Sequence, residues 1–398
     1  MAKSYIQWPW EKENITEIWK WPIIFWLNIY GWWAEEASST FWRKWLSRLR
    51  VICFINASAC FWSMIFAIIV KFSQGDIMVN LFSVFGAGPG VVGTFKIVQC
   101  IRHRKPLKKA MDLLDVMMSE IDEPELEPIV RNGMKRCWIA FFLCLFFGSC
   151  ISLHWLSRPL IILLFYGERT RIIDTWPVLD DDWFQWSITF LFQGTNVCLC
   201  GHTFYIFDNV YFCISESLLC QLRVLKYRLT HLKLDGSVGS DAALEICIKQ
   251  HTQILKVCDK LKFASEGVII FQCINTAIML CTGIFILTLM EHINFNVLLN
   301  LGEITLVIII ILYFYCWYSN EITFQCSELA TYAYMMDWTD GTFDQKKKLL
   351  NLMTMPMHPV IFGGIVEINL NTFINVMKTA FSYYNFLAAA DAGGDHAK

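Results

Sequence analysis

Seven stretches of the chain are apolar over roughly the 20 residues that a helix needs to cross a bilayer, and few charges interrupt them. Their limits are Val51–Val70, Ile77–Ile101, Cys137–Leu156, Trp183–Cys213, Gly267–Met290, Leu301–Tyr318 and Pro359–Leu387. The pattern predicts an all-α membrane protein with seven transmembrane helices, six of them within residues 51–318. Glycines and a proline between Gly86 and Gly93 predict a kink in the second helix, which is either a hinge or a loosely wound segment.

The first fifty residues differ from the rest because their apolar stretch is too short to span. Residues 21–33 form a Trp-rich stretch of 13 residues that Glu35 and Glu36 follow. Since Trp and Tyr prefer the headgroup level of a bilayer, we interpret residues 21–33 as a re-entrant or interfacial element. It lies within an N-terminal segment, residues 1–50.

Lys and Arg residues are divided unequally between the segments that join the apolar runs. Residues 1–50 carry seven, 102–136 carry eight, 214–265 carry eight and 319–358 carry three, whereas the alternate segments carry five in all. Basic residues are retained on the cytoplasmic side of a membrane. The distribution therefore predicts a cytoplasmic N-terminus and an extracellular C-terminus.

Two of the basic segments, 102–136 and 214–265, are long and rich in helix-forming residues. Together with a helix in 319–358, they are expected to extend the membrane helices into a cytoplasmic anchor bundle. The alternative is that they are solvated amphipathic helices without a partner.

Composition and motifs exclude several other classes of function. The chain is 56% hydrophobic and 17% charged, and its net charge of −2 provides no basic surface for nucleic acid. Its eight His residues are scattered, and no hydrolase, zinc-protease, nucleotide-binding or dinucleotide-binding motif occurs. We therefore expect no catalytic residues, no metal site, no cofactor and no enzymatic activity.

The last apolar run carries a polar stripe along one side of the predicted helix. At 100° per residue, its polar side chains fall within an arc of about 80°. They are Glu367, Asn371, Asn375, Lys378, Ser382 and Asn385. A polar stripe on a spanning helix faces protein or water, so this helix either lines an aqueous pore shared by several subunits or packs on polar groups such as Gln272, Asn275 and Thr276.

A second candidate site is a ligand pocket among the outer halves of the second, third, fourth and sixth runs. It combines aromatic and aliphatic walls with a few hydroxyl and amide groups, which suits a small and mostly apolar ligand. Its predicted members are Phe82, Phe85, Gly148, Ser149, Ile151, Ser152, Trp155, Phe190, Gln193, Ile309 and Tyr313. In the alternative interpretation these aromatic residues simply pack against one another.

Four segments in the C-terminal third resemble the signature of insect odorant receptors. They are Ser327–Trp338 (SELATYAYMMDW), Lys346–Leu352 (KKKLLNL), Pro359–Gly364 (PVIFGG) and Thr372–Leu387 (TFINVMKTAFSYYNFL). The resemblance implies an odour-gated, non-selective cation channel of four subunits in the plasma membrane of olfactory neuron dendrites. It also implies that the last helix, residues 359–387, lines the pore, which narrows near Phe386.

The same resemblance implies the identity of the subunit and of its partners. The family's odorant-specific subunits assemble with a shared co-receptor, which has a long insertion between spans four and five. Residues 214–265 leave no room for such an insertion, so the chain resembles the specific subunit, whose partners are a small volatile ligand, co-receptor subunits and membrane lipid. The tail, residues 388–398, is unlike the family's endings and resembles an appended linker.

Three other classes of membrane protein fit this pattern less well. A gustatory receptor shares the architecture, but its usual ending is absent from Phe381–Leu387. A metabotropic receptor with seven helices requires an extracellular N-terminus. A secondary transporter is disfavoured because the spans show no inverted repeat and only one is markedly polar.

Overall fold

The computed structural model describes residues 19–29, 77–173, 175, 182–290, 295–355 and 367–395, together with 48, 52, 55, 56, 59, 60 and 62–70. These residues are almost entirely helical, and their β-structure is a single bridge between Lys233 and Asp337. Residues 62–70 lie in the first predicted span and are helical.

The helices follow one another with short connections. They are α1 (Trp21–Ile29), α2 (Ile77–Arg102), α3 (Arg104–Ser119), α4 (Glu127–Tyr166), α5 (Trp183–Thr203), α6 (Ile206–His231), α7 (Val238–Leu289), α8 (Phe295–Met335), α9 (Phe343–Thr354) and α10 (Leu370–Asp395). A short 3₁₀ turn, Pro124–Leu126, precedes α4.

Helices α6 and α7 form the centre of the bundle. Helix α6 packs on α4, α7 and α8, and almost every side chain from Ile206 to Leu229 is buried. Helix α7 packs on α2, α3, α6, α8 and α10. The apolar core therefore runs along these two helices, and the others surround them.

Three helices are much longer than a bilayer is thick. At 1.5 Å per residue, the 40 residues of α4, the 52 of α7 and the 41 of α8 span about 60, 78 and 62 Å, against roughly 30 Å of hydrocarbon. Within the described residues, four stretches are long and apolar enough to cross a membrane: Val84–Arg102, Pro124–Tyr166, Val238–Leu289 and Val297–Met335. The second, third, fifth and sixth predicted spans lie on these helices, and the excess length is available for a bundle outside the membrane.

The fourth predicted span, Trp183–Cys213, is not one helix. Helix α5 ends at Thr203, a turn occupies Phe204 and Tyr205, and α6 begins at Ile206. The apolar run continues across this break because the first eight residues of α6, 206–213, are mostly apolar and buried in protein. The prediction of a continuous helix was therefore wrong.

The last predicted span also begins later than expected. The side chain of Asn369 accepts a hydrogen bond of 3.0 Å from the backbone nitrogen of Thr372, which is the arrangement of a helix N-cap, and α10 begins at Leu370. Glu367 therefore precedes the helix, contrary to the prediction that it lies on it. Residues 359–366 are outside the described part. At the other end, the helical backbone continues to Asp395, through most of the predicted tail.

The Trp-rich N-terminal stretch contributes a short helix to the bundle. Helix α1 packs on α6 and α4, and Trp21 stacks on Trp138 with ring centroids 5.3 Å apart. Just before it, the indole nitrogen of Trp19 donates a 2.7 Å hydrogen bond to Asp115 on α3. Residues 30–33 of the predicted interfacial element lie outside the described part.

One guanidinium group joins the connection between α3 and α4 to the central helices. Arg228 on α6 donates two hydrogen bonds to the Glu123 carboxylate, of 2.8 and 2.9 Å, one of 3.0 Å to the Glu120 carbonyl and one of 2.9 Å to Gln250 on α7. The hydrogen bond from Arg228 lowers the pKa of Glu123. The ion pair therefore persists throughout the neutral range.

Candidate functional site

A cavity with two adjoining lobes lies between α2, α4, α5 and α8. The first lobe has a volume of about 150 Å³ and an almost wholly apolar lining; we call it the apolar lobe. The second has a volume of about 370 Å³ and includes Arg158 and Arg171; we call it the arginine lobe. Both are lined by Met64, Gly86, Trp155, Ile173 and Ile304. The helices that surround the cavity include the second, third and sixth predicted spans and the first part of the fourth.

Four of the eleven predicted pocket residues line the cavity. Phe82 and Phe85 line the arginine lobe, Ile151 lines the apolar lobe, and Trp155 lines both. The remaining seven do not line either lobe: Gly148, Ser149, Ser152, Phe190, Gln193, Ile309 and Tyr313. Their places in the fold account for this.

Gly148 and Ser152 lie where α4 crosses α5. A Cβ added to Gly148 would lie 2.9 Å from the carbonyl oxygen of Gly201, and one added to Gly201 would lie 2.4 Å from Ser152 Oγ. Ser152 donates its hydroxyl proton to the Gly148 carbonyl at 2.8 Å, and Ser149 Oγ is 3.2 Å from His202 Nε2. These small residues therefore allow two helices to approach closely.

Gln193 holds the loop that follows α4. Its amide oxygen accepts hydrogen bonds from the backbone nitrogens of Ile172 (3.0 Å) and Ile173 (3.3 Å). Its amide nitrogen donates to the Ile173 carbonyl (2.9 Å) and to Thr175 Oγ1 (2.8 Å). Because Ile173 lines both lobes, this buried glutamine shapes the cavity wall from behind.

The other three predicted residues pack on neighbouring rings or lie beside the cavity. Phe190 stacks on Trp186 with centroids 5.3 Å apart. Tyr313 is exposed on α8 and meets Phe373 of α10 edge to face at 5.7 Å. Ile309 is half-buried on α8. Tyr313 therefore belongs to the contact between α8 and the last helix.

A carboxylate on α8 fixes the wall that the lobes share. Glu303 Oε1 accepts a 2.7 Å hydrogen bond from the indole nitrogen of Trp155, and Glu303 Oε2 lies 2.6 Å from His154 Nδ1. The two bonds hold α4 against α8 beside the cavity. Glu303 thus orients the one predicted pocket residue that borders both lobes.

Directly behind the apolar lobe lies a buried ion pair. Lys96 Nζ on α2 is 2.8 Å from Asp208 Oδ2 on α6, and both side chains are 0% exposed. Tyr315 on α8 donates its hydroxyl proton to the other Asp208 oxygen at 2.5 Å. Lys96 Nζ also lies 4.1 Å from the ring centroid of Phe204, which lines the apolar lobe. The network therefore joins three helices to one wall of the cavity.

Helix α10 exposes its polar side. The predicted stripe residues on the helix are all exposed, as is the predicted constriction residue: Asn371, Asn375, Lys378, Ser382, Asn385 and Phe386. The opposite side packs on the core through Phe373, Val376, Met377 and Ala380. On α7, Gln272 donates to Thr276 at 3.3 Å. The alternative in which the stripe packs on these α7 residues is therefore not observed.

Sequence and structure comparisons agree on a family. A family model described as "7tm Odorant receptor" matches residues 80–381. The chain belongs to the seven-transmembrane odorant receptor family. Odorant receptor Or2 of Anopheles gambiae is 21% identical over 277 residues, 66% of this chain and 71% of that protein. Odorant receptor 42b of Drosophila melanogaster is 23% identical over 332 residues, 79% of this chain and 78% of that protein.

A solved structure shows the same fold. The insect olfactory receptor OR5 from Machilis hrabei, in complex with eugenol, matches with a TM-score of 0.79 and 12% identity, covering 95% of this chain and 100% of that one. The predicted family and the all-α, seven-helix membrane architecture are thereby confirmed. This odorant receptor is a multi-pass membrane protein.

The sequence-based site of this odorant receptor omitted Asp208 and Glu303. Asp208 lies within a predicted span, as does the oppositely charged Lys96, and a pair of opposite charges inside apolar runs was an available signal. Glu303 lies near the start of a span, where a carboxylate is unremarkable. Its role depends on contacts with His154 and Trp155 that are distant in sequence.

Proposed function

We propose that this odorant receptor is the odorant-specific subunit of a ligand-gated, non-selective cation channel. A small volatile ligand binds in the two-lobed cavity, and binding favours an arrangement in which the α10 helices of neighbouring subunits open a central pore. The observation that carries the proposal is the exposed polar side of α10. A ligand shifts such an equilibrium only by its differential affinity for the open and closed states.

The pore follows from the cost of placing polar groups against lipid. Asn and Lys side chains at the hydrocarbon level are expensive unless they meet protein or water. One helix cannot enclose a lumen, so the exposed side requires equivalent helices from other subunits. The family resemblance supports a tetramer that includes the shared co-receptor, with Glu367 at the entrance of α10 and Phe386 near its narrow end.

The cavity supports the ligand class. Phe82, Phe85, Ile151 and Trp155 provide aromatic and aliphatic surface, and cavities with such walls bind small apolar molecules. The eugenol named with the Machilis hrabei receptor is a ligand of that protein. It supports a small volatile molecule as the ligand class here.

Helix α8 offers a physical connection from cavity to pore. It lines the cavity through Ile304, and it packs on α10 where Tyr313 meets Phe373. A shift of α8 on ligand binding therefore reaches the last helix directly. This connection includes Tyr313 in the response to ligand without placing it in the pocket.

Orientation and subunit type follow from the loops. The excess of basic residues in 1–50, 102–136 and 214–265 supports a cytoplasmic N-terminus, an anchor bundle on the same side and an extracellular C-terminus. Residues 232–237 alone join α6 to α7, which supports the odorant-specific type. We place the receptor in the plasma membrane of olfactory neuron dendrites. If antibodies label an N-terminal epitope on intact cells, the N-terminus is extracellular and the proposed orientation is refuted.

The pore is tested by substitution on α10 in receptors expressed with the co-receptor. Asn375→Ala and Lys378→Gln should change single-channel conductance or reversal potentials in mixed-cation solutions, with little change in the ligand concentration that gives half-maximal current. Tyr383→Phe is the control, because Tyr383 is exposed on the same helix about 80° beyond the stripe. Identical permeation in the stripe variants and the control would refute the pore assignment.

The cavity is tested by substitution of Trp155. Trp155→Ala should raise the half-maximal concentration by about tenfold or more, because a large ring that borders both lobes is lost, while reversal potentials stay unchanged. Phe190→Ala is the matched control, since its ring stacks outside both lobes. Equal shifts in the two variants would show that the effect is not local to the cavity.

A further inference from the structure

Basic side chains are concentrated where α2 ends and α3 begins. They are exposed, and we call them the basic patch: Arg102, Arg104, Lys105, Lys108 and Lys109. No acidic residue lies among them, and the first one that follows is Asp112. At 100° per residue, the four patch residues on α3 fall within about 140°, on the side away from buried residues such as Leu107 and Leu114. The patch is therefore a continuous exposed surface of one charge.

The basic patch differs from other basic residues that lie outside the predicted spans, because most of those are paired. Their salt bridges are Lys226 with Glu328, Arg228 with Glu123, Lys233 with Asp337, Lys249 with Glu120, and Lys348 with Asp241 and Glu245. Within the described residues, no member of the patch forms a salt bridge or a side-chain hydrogen bond. Contacts with the described part of the chain therefore leave the charge of the patch uncompensated.

Contacts with α7 show how far the basic patch lies from the apolar span. Helices α2 and α3 run along α7 in the opposite direction, as three contacts show: Phe95 stacks on Phe271 with centroids 4.5 Å apart, His103 meets Phe263 edge to face at 4.9 Å, and Lys249 Nζ lies 2.5 Å from Glu120. The candidate span on α2 ends at Arg102. At 1.5 Å per residue, Lys109 lies about 10 Å beyond it. The patch is therefore within about one Debye length of the hydrocarbon edge.

Exposed apolar side chains adjoin the basic patch on its membrane side. They are Val98 and Ile101 of α2 and Phe263 of α7. A phospholipid with a negative head group matches both features, because its acyl chains cover the apolar side chains and its head group meets the basic ones. An acidic protein segment would compensate the charge and leave the apolar side chains uncovered. The adjoining surfaces therefore favour a lipid.

We propose that the basic patch binds anionic phospholipids, such as phosphatidylserine, in the leaflet where α2 ends. The proposal rests on the orientation given in the proposed function, because anionic lipids are concentrated in the cytoplasmic leaflet, but it does not require gating by an odorant. The guanidinium groups of Arg102 and Arg104 bind phosphate oxygens in a planar fork, and the lysines act as point charges. Affinity therefore decreases with each charge removed and with added salt.

The experiment measures the thermal stabilisation of receptor purified in neutral detergent, without odorant, by dioctanoyl phosphatidylserine. Dioctanoyl phosphatidylcholine has the same acyl chains and no net charge, so the serine lipid should bind about tenfold or more tightly. This preference should decrease as salt is raised from about 0.05 to about 0.3 M. Glycerophosphoserine, which has the same head group without acyl chains, serves as the free anion.

The test variant, Lys105→Gln with Lys109→Gln, removes two charges from the exposed side of α3. Neither side chain has a salt bridge or side-chain hydrogen bond among the described residues, so the unfolding temperature without lipid should be unchanged. The affinity for phosphatidylserine should fall by about tenfold or more, and that for phosphatidylcholine by less than about twofold.

The matched control, Lys346→Gln with Lys347→Gln, removes two charges from α9. The neighbouring Lys348 pairs with Asp241, which precedes Phe263 on α7 by about 33 Å at 1.5 Å per residue. This separation is several Debye lengths. The control should therefore bind phosphatidylserine as tightly as wild type.

The outcomes separate this inference from the proposed function. Equal affinity for the two lipids, or an equal loss of affinity in the test and control variants, would overturn the inference even in a receptor that gives ligand-gated currents. Stabilisation by glycerophosphoserine as strong as that by the lipid would also overturn it, in favour of a site for a free anion. A lipid preference that depends on Lys105 and Lys109, in a receptor without ligand-gated current, would support the inference and refute the channel.

Discussion

Substitution of Asp208 tests whether the buried ion pair is the main electrostatic constraint on this fold. Lys96 and Asp208 are both wholly buried, and their charged atoms are 2.8 Å apart. Asp208→Asn leaves the Lys96 ammonium without a counter-charge, and breaking a buried pair in this way costs about 3–5 kcal/mol. Replacing both charged partners, as in Lys96→Met with Asp208→Leu, removes the uncompensated charge but leaves the buried Tyr315 hydroxyl without an acceptor, which costs about 1–3 kcal/mol.

Tyr315 supplies a graded third variant. Its hydroxyl donates to the Asp208 oxygen that Lys96 does not contact. Tyr315→Phe removes one hydrogen bond to a charged acceptor, which costs about 1.5–3 kcal/mol. The expected order of stability is therefore wild type, then Tyr315→Phe and the double variant, then Asp208→Asn.

Thermal unfolding of receptor purified in detergent measures that order. Surface abundance in cells provides a second readout that follows folding. Asp208→Glu, which keeps the charge and adds a methylene, should retain more stability than Asp208→Asn. A double variant as unstable as Asp208→Asn, or a single variant indistinguishable from wild type, would refute the argument that the uncompensated charge dominates.

Three further substitutions probe contacts that the fold depends on. Gly201→Ala should destabilise the receptor by about 1–3 kcal/mol, because its Cβ would clash with Ser152 Oγ. Adding Ser152→Ala, which removes only that oxygen, should restore part of the unfolding temperature, since the Gly148 carbonyl oxygen 3.2 Å away remains. Gln193→Leu leaves backbone nitrogens of the loop after α4 unpaired, so it should lower the unfolding temperature and raise the half-maximal ligand concentration. An unchanged dose response would show that this loop does not shape the ligand site. Arg228→Lys loses the fork on the half-exposed Glu123 carboxylate and should cost about 0.5–1 kcal/mol at neutral pH. Because the folded-state pKa of Glu123 is lowered, its contribution is present above its unfolded pKa and is lost as pH falls through the folded pKa, so wild type and variant should converge in acidic solution and a constant difference would contradict the pairing.

The apolar pattern predicts where a helix lies but not its full length. The second span was predicted at Ile77–Ile101, and α2 runs from Ile77 to Arg102, whereas α8 continues past the predicted end of its span, Tyr318, to Met335. The break at Phe204 and Tyr205 left no signal in the apolar pattern, because the first residues of α6 are mostly apolar and buried in protein. The start of α10 could have been found, because Asn369 with Thr372 at N3 has the spacing of an N-cap.

The cavity was predicted at the level of helices and only in part at the level of side chains. Its walls come from the expected spans because helix order and length constrain which helices are neighbours. Gln193 was selected for its amide group, yet that group is occupied by a loop about twenty residues earlier in the chain. Arg158 and Arg171 lie beyond the predicted end of the third span, and charge alone does not show that the end of α4 and the loop after it border a cavity.

Charged and polar residues inside the apolar runs of this receptor occupy two kinds of environment, which differ in whether the side chain has a partner within the chain. The charges of Lys96 and Asp208 compensate each other within the chain, which offsets the cost of burying them. Removing one of them should therefore affect folding. Lys378 and Asn375 are exposed on α10, and in the proposed channel water and neighbouring subunits compensate them. Substitutions of the first kind should therefore reduce receptor abundance at the cell surface, whereas substitutions of the second kind should leave abundance intact and change permeation.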